Sequence, residues 1–222
     1  MKGWKSEKVV SSEKLNSAHE FQERWGFFWS SNDNEGKEWT RNFQELRLKD
    51  LTLFCLGEVK GKKIIDIGCF RADYLLTVAK LGAEYVGGQD LDEDDVKKGR
   101  LKLSKENIEG KLVAGDAVKL DFPDNFFDIA FSCDVFEHLS LKVKEKVISE
   151  VYRVLKPGGI FTIKTPNLSF LKISLYLKRI LNLLRLRSPF IYVAHTKDNP
   201  DSVHIGLTTH SDLEKLLEDN FF

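Results

Sequence analysis

The residues best suited to do chemistry form an ordered set of acids and glycines. The run Ile64-Ile65-Asp66-Ile67-Gly68-Cys69 reads as a buried strand that ends in an acid and a glycine before a helix. In an open α/β sheet, ligands bind beyond the carboxyl ends of the strands, and a glycine there lets the backbone approach them closely. The next strand reads Val86-Gly87-Gly88-Gln89-Asp90. Its acid follows the first by about two dozen residues, a spacing suited to accepting hydrogen bonds from ribose hydroxyls. The pair implies a nucleoside-bearing ligand. Gly115-Asp116-Ala117 then follows a third strand, and Phe122-Pro123-Asp124-Asn125-Phe126-Phe127-Asp128 leads into a fourth. That strand ends Phe131-Ser132-Cys133-Asp134-Val135-Phe136-Glu137-His138-Leu139, and Val151-Tyr152-Arg153-Val154-Leu155-Lys156-Pro157-Gly158-Gly159 comes after it. Each residue alone has an ordinary alternative: Asp66 orients backbone, Asp116 caps a turn, Cys133 is small core.

The elements that must position these residues alternate in type. Strands are expected at Lys63 to Ile67, Tyr85 to Gln89, Lys111 to Ala114, Phe127 to Ser132 and Ile160 to Lys164, with helices at Asp73 to Leu81, Asp92 to Leu103 and Leu141 to Leu155. Such alternation is the mark of a parallel sheet with helices on its faces. In the last of these helices Val147, Ile148, Val151, Val154 and Leu155 recur at helical spacing, and Pro157-Gly158-Gly159 stops it and turns the chain into a strand. Residues 1–60 differ in character and are expected to form an N-terminal helical cap or lid: all four tryptophans, Trp4, Trp25, Trp29 and Trp39, lie there, and Phe21 to Trp29 reads either as an aromatic lid or as rings packed onto the main domain. A helix is expected from about Asn42 to Leu56. Leu168 to Arg187 mixes Leu, Ile, Phe and Tyr with Lys172, Lys178, Arg179, Arg185 and Arg187 and contains no acid, so a basic amphipathic helix or helix pair is expected within an insert spanning 168–190. Ser211 to Glu218 reads as a closing helix with Ser211 as its N-cap.

Taken in order, these stretches resemble the class I S-adenosylmethionine-dependent methyltransferases, whose pattern runs DxGCGxG, GxD, GDA, FPDxSFD, EHL and RxLKPGG. The resemblance covers roughly Lys62 to Pro166 and leans toward the methyltransferase type 11 and ubiquinone-biosynthesis O-methyltransferase kind, with Val203-His204-Ile205-Gly206-Leu207-Thr208-Thr209 a weaker echo. It implies a Rossmann-like, doubly wound, mostly parallel sheet in residues 61–222. It also implies S-adenosyl-L-methionine as cofactor and S-adenosyl-L-homocysteine as product. Carried over by residue, it sets Asp66, Gly68 and Cys133 beside the methionine part of the cofactor, Asp90 on the ribose, Leu91 on the adenine face, and Asp116 and Ala117 on the adenine edge, with Cys69, Phe70 and Ala72 of the glycine loop also at the cofactor. Arg47, on the helix before the first strand, matches an arginine that reaches the cofactor carboxylate. A surface arginine is its alternative reading. The family sheet normally finishes with further strands that the chain does not show before Phe222, so five strands and an uncovered edge are expected.

One departure lies in the glycine loop, which reads Gly68-Cys69-Phe70-Arg71-Ala72 in place of GxGxG. Ala72 costs little there, but Phe70 resists positive φ and brings a ring near the ligand. Pointing outward it leaves binding intact; pointing inward it makes a catalytically silent, methyltransferase-like binding module, the alternative reading of the whole chain. Methyl transfer from a sulfonium needs alignment and exclusion of water above all. For an oxygen acceptor a base helps, and His138 just beyond the fourth strand is the candidate because an imidazole suits proton transfer near neutral pH, with a structural role as the alternative. The basic segment 168–187 suits a lid over an apolar or lipid-linked acceptor, or contact with a membrane surface, against the plainer reading of a solvated basic face.

Composition narrows the classes. The chain has 222 residues, with Lys+Arg 34 against Asp+Glu 34, so its formal charge is zero and nothing global favours nucleic acid. Cys55, Cys69 and Cys133 show no metal-ligand spacing, and no metal is expected. Met1 to Val10 lacks an apolar core, and no run of eighteen apolar residues occurs, so the expectation is a cytoplasmic protein, with peripheral membrane contact left open. Asp90-x-Asp92-x-Asp94 starts like a calcium loop but lacks its glycine and closing glutamate, and phosphate-loop and GxSxG signatures are missing. A nicotinamide-linked oxidoreductase on a related sheet is disfavoured by Gly115-Asp116-Ala117 and Lys156-Pro157-Gly158-Gly159. The acceptor is expected to be a small molecule, or one linked to lipid or glycan, methylated at oxygen.

Overall fold

The computed structural model describes residues 52–185 and 206–221. The tryptophan-rich segment, Arg47, most of the expected Asn42–Leu56 helix, the end of the 168–190 insert and the start of the Val203–Thr209 stretch lie outside them. The chain divides into two units, Met1–Arg47 and Leu48–Phe222, and every described residue is in the second.

Five strands, β1 Lys63–Ile67, β2 Tyr85–Asp90, β3 Gly110–Ala114, β4 Phe127–Cys133 and β5 Leu155–Lys164, form one parallel sheet in the order β3-β2-β1-β4-β5. Helices α1 Asp73–Lys80, α2 Glu93–Lys105 and α3 Leu141–Val154 make the crossovers, and α4 Leu168–Leu184 and α5 His210–Phe221 follow the last strand. The doubly wound sheet expected from the sequence is present. β1 sits at its centre, so Ile64, Ile65 and Ile67 are all buried, which is why this strand reads as unbroken aliphatics rather than alternating. Gly87 and Gly88 in β2 serve packing. A Cβ on Gly87 would meet the Phe127 ring at 2.6 Å, and one on Gly88 would meet Cys69 and Leu75 at 2.8 Å.

The chain winds from β1 outward through β2 to β3, then returns to the other side of β1 with β4. The strand order therefore reverses between β1 and β4, and a crevice opens beyond their carboxyl ends, where ligands of such sheets bind.

Three local expectations change. The strand after α3 begins at Leu155 rather than Ile160, because Leu155 pairs with Phe127 and Pro157-Gly158-Gly159 bulges within the strand before Ile160 pairs with Ile129. The basic segment forms one helix, α4, over its described part. The N-cap of α5 is Thr209, not Ser211: Thr209 Oγ1 accepts from the Asp212 amide at 3.2 Å while its own amide and hydroxyl donate to the Asp212 carboxylate, so the reciprocal pairing sets the start two residues earlier.

Arg153 staples the loop between β3 and β4 to α3. Its guanidinium donates to Glu150 at 2.9 and 2.7 Å, to Asp124 at 2.6 Å, and to the carbonyls of Phe122 and Leu120 at 2.9 and 2.8 Å. The same loop is held from below by the edge-to-face rings of Phe122 and Phe126 on Phe127, at 5.2 and 5.0 Å. Arg153→Ala is expected to cost about 2–4 kcal/mol, read as a lower urea midpoint, because two carbonyls and two carboxylates lose their donor. Arg153→Lys recovers only part, since a point charge cannot fork across four acceptors. The Arg153 hydrogen bonds hold the Glu150 carboxyl below its ordinary range. That contribution is present above the usual carboxylate pKa and drains away as pH falls through the lowered one.

Candidate cofactor and acceptor site

The loop after β1 is built on three left-handed residues, Gly68 (φ 82), Phe70 (φ 46) and Ala72 (φ 60), the three positions where the family pattern has glycine. The expected resistance of Phe70 to positive φ is thus overcome. Two non-glycine residues in this region cost about 1–2 kcal/mol each, so something must hold them. The Gly68 and Cys69 amides both donate to the Gln89 carbonyl, at 2.8 and 3.3 Å, Ala72 donates to the Cys69 carbonyl at 2.7 Å, and the Phe70 amide donates to the Asp90 carboxylate at 2.8 Å. Ala72 is buried, whereas the Phe70 ring is 50% exposed and lies 4.7 Å from the Arg71 guanidinium, itself tied to Asp95 at 2.8 Å. The ring faces outward, against Arg71.

Asp90 does more than end a strand. One carboxylate oxygen accepts from Phe70 and the other from the Asp92 amide at 3.0 Å, so it joins the loops after β1 and β2. Leu91, 74% exposed, presents a bare aliphatic face beside it. Asp92 caps α2 by accepting from the Asp95 amide at 3.0 Å, so the Asp90-Asp92-Asp94 run is a helix start.

Gln89 organises the third part of the site, and the sequence reading gave it no role. Buried at the end of β2, it donates to the carbonyls of Asp116 and Lys119, both at 2.8 Å, and accepts from the Asp121 amide at 3.0 Å. All three bonds go to the segment that carries Asp116 and Ala117. Asp116 is exposed and caps its own turn, accepting from Val118 at 3.0 Å, which satisfies one carboxylate oxygen and leaves the residue at the rim. A glutamine at the end of an otherwise apolar strand was the available signal, since a buried amide must spend its donors and acceptor locally.

Beneath the loops the site is low in dielectric. Asp66 is buried, and its Oδ1 has no hydrogen-bond partner. Burial, and then the nearby Asp90 charge, push its carboxyl well above the usual range. Burial, followed by the Asp66 charge, also raises the Cys69 thiol and pushes the Cys133 thiol up to about 12, so both stay neutral. Thr52 hydrogen-bonds Cys133 and Tyr74, whose ring packs edge-on against Phe131 at 5.9 Å. A buried carboxyl with an unsatisfied oxygen fits a ligand bearing a positive group, because an added donor would remove the cost of leaving that oxygen bare.

Beyond β4, Asp134 (φ 57) pairs with Lys164. His138 is exposed on the 3-10 turn Phe136–His138, whereas its neighbour Glu137 is buried and accepts from the Thr165 hydroxyl at 3.0 Å. The Glu137 carbonyl accepts from the Gly206 amide at 2.8 Å, and the buried Lys144 ammonium donates to the Gly206 carbonyl. Glu137 and Lys144 thus lock the segment before α5 against this turn. The structure sets Asp66, Gly68, Cys69 and Cys133 at the carboxyl ends of β1 and β4, with Phe70 on the loop after β1, Ala72 buried beside Gly99 of α2, and Asp90 at the end of β2. Leu91, Asp116 and Ala117 stand at the neighbouring strand ends. A separate cavity of about 470 Å³, lined by Lys111, Asp121, Glu150 and Arg153 among others, includes none of them.

Residues 65–163 match the family model of a methyltransferase domain. A sterol 24-C-methyltransferase of Gibberella zeae is 36% identical over 108 residues, 48% of this chain and 28% of that protein. A demethylmenaquinone methyltransferase of Listeria monocytogenes is 37% identical over 103 residues, 45% of this chain and 43% of its own. The chain therefore spans less than half the length of these relatives. In fold it is similar to a SAM-dependent methyltransferase of Aquifex aeolicus, with a TM-score of 0.56 at 20% identity, covering 81% of this chain and 86% of that one. The likeness to a methyltransferase domain therefore runs from the first acid-glycine loop to the last strand of the sheet, residues 65–163.

Proposed function

We propose that this chain transfers a methyl group from S-adenosylmethionine to the oxygen of a small apolar or lipid-linked acceptor. The observation that carries the reading is the reversal of strand order beside β1, with Gly68, Asp90 and Cys133 at the carboxyl ends of β1, β2 and β4 and an unpartnered carboxyl oxygen of Asp66 buried on β1. In this reading Asp90 accepts from the ribose hydroxyls, Leu91 packs on the adenine, Asp116 and Ala117 read its edge, and Asp66 faces the positive group of the methionine part. Arg47 is the candidate partner of the methionine carboxylate. When bound, the cofactor supplies a methyl on a positively charged sulfur, which becomes a neutral thioether as the carbon passes to the acceptor. The protein aligns the acceptor, excludes water, and at a hydroxyl gives the proton somewhere to go, for which His138 is the candidate base. Support for an apolar acceptor comes from relatives named for a sterol and for demethylmenaquinone.

Titration of the protein with S-adenosylmethionine and S-adenosylhomocysteine at several pH values tests this. Asp66 holds its proton unusually tightly, and a cationic ligand group favours its ionised form. Binding below the raised pKa must therefore release a proton, so affinity climbs with pH and levels off once the pH passes that value. Titrations in two buffers of different ionisation heat read the proton directly, and Asp66→Asn should flatten the profile. Binding with no proton release at any pH removes Asp66 from the ligand. The binding-module alternative, which rested on an inward Phe70, shares the titration but predicts no transfer to any phenolic, hydroxylated or lipid-linked acceptor.

A further inference from the structure

Helix α4 is turned with its apolar face outward. None of its residues is buried, although its sequence is richer in aliphatic and aromatic side chains than that of any other helix described. Leu168, Leu171, Ser174, Leu175, Arg179 and Asn182 form the half-buried side. On the opposite side Phe170, Ile173, Leu177, Ile180 and Leu184 recur at helical spacing as one stripe, each more than half exposed, with Ile173 at 58% and Leu184 at 74%. An ordinary surface helix buries such a stripe, so this one is arranged for a partner.

Charge says which kind. Lys178 and Arg185 flank the stripe on one side and Lys172 on the other, all exposed, and the stretch 168–185 holds no acid. A second copy laid on this face would set lysine and arginine against their own kind with no carboxylate on the helix to neutralise them. An anionic lipid surface satisfies both features: the stripe enters the acyl boundary while the basic side chains, on long flexible stems, reach back to the phosphates. The helix lies on such a surface rather than crossing it, since no described helix is long and apolar enough to span a membrane. We propose that α4 is an interfacial anchor that docks the domain on anionic membranes. Because only three residues separate the end of β5 from the start of α4, docking brings the carboxyl edge of the sheet to the lipid surface. The anchoring itself does not depend on the methyltransferase reading.

Co-sedimentation of the full chain with vesicles tests it, using equal parts phosphatidylglycerol and phosphatidylcholine against phosphatidylcholine alone. The expected result is binding to the anionic vesicles that is at least about tenfold tighter than to the neutral ones and that weakens in about 0.5 M sodium chloride. Ile173→Glu with Leu177→Glu should abolish it without moving the melting temperature or the affinity for S-adenosylhomocysteine, because both side chains are exposed and distant in sequence from the crevice residues. Protein left in the supernatant with anionic vesicles overturns the proposal. So does a variant that still sediments, equal binding to both vesicle types, or loss in the variant of a dimer seen by ultracentrifugation without vesicles. Titration of the same samples with S-adenosylhomocysteine reads the cofactor site separately.

Discussion

Asp90→Ala is expected to weaken S-adenosylmethionine and S-adenosylhomocysteine binding at least about a hundredfold, the largest ligand effect of any single side chain here. In the proposed site its carboxylate accepts from ribose hydroxyls, and hydrogen bonds to a charged acceptor are worth about 1.5–3 kcal/mol each, so losing two exceeds two decades. The structure adds a second route to the same loss. The two oxygens already hold the amides of Phe70 and Asp92, and without them the left-handed Phe70 has no anchor from the neighbouring strand. Stability should therefore fall as well, by about 1–3 kcal/mol. Asp90→Asn separates the two jobs: one oxygen remains for an amide, but the charge and half the acceptor capacity go, so most of the stability returns while most of the affinity does not. Calorimetric titration and urea unfolding on all three proteins read both quantities. If Asp90→Ala binds within about threefold of wild type, Asp90 is a loop fastener and the ribose contact lies elsewhere.

What the sequence conveyed, and what it did not, follows from how local each signal is. β1 was legible to the residue because a strand buried on both faces must be aliphatic and the Asp66-Ile67-Gly68 break ends it. The parallel sheet followed from the alternation of elements, its doubly wound form from the family resemblance, and the ligand side from the rule that such sheets bind beyond the carboxyl ends of their strands. The roles of Gln89 and Arg153 were not legible, because each acts on carbonyls about thirty residues away, and sequence carries no trace of which backbone groups a fold leaves unpaired. The orientation of Phe70 stayed open in the sequence for a related reason. Its cost at positive φ is local and visible, whereas the bonds that hold it come from Asp90 and from packing by Arg71. The outward stripe of α4 was half legible: amphipathicity shows in the sequence, but which face looks at solvent is a tertiary fact.

Gly68→Ala is expected to be the most damaging of small substitutions to the loop. Its φ of 82 costs alanine about 1–2 kcal/mol, and its new Cβ would stand 2.2 Å from Val135 Cγ2. Valine is branched at Cβ and cannot swing that methyl aside, so the contact must be relieved by moving backbone at the end of β1 or on the turn after β4, at about 1–3 kcal/mol. The total of about 2–5 kcal/mol combines the two terms, and the displaced loop should lose cofactor affinity along with stability. The terms separate in a double variant. Val135→Ala removes the clashing methyls and leaves the backbone strain, so Gly68→Ala with Val135→Ala should be more stable than the sum of the single changes by about 1–3 kcal/mol, with part of the affinity restored. Urea midpoints of the four proteins measure that coupling. Strict additivity would mean that the two residues do not touch, and that the close approach of the β1 loop to the β4 turn is absent in solution.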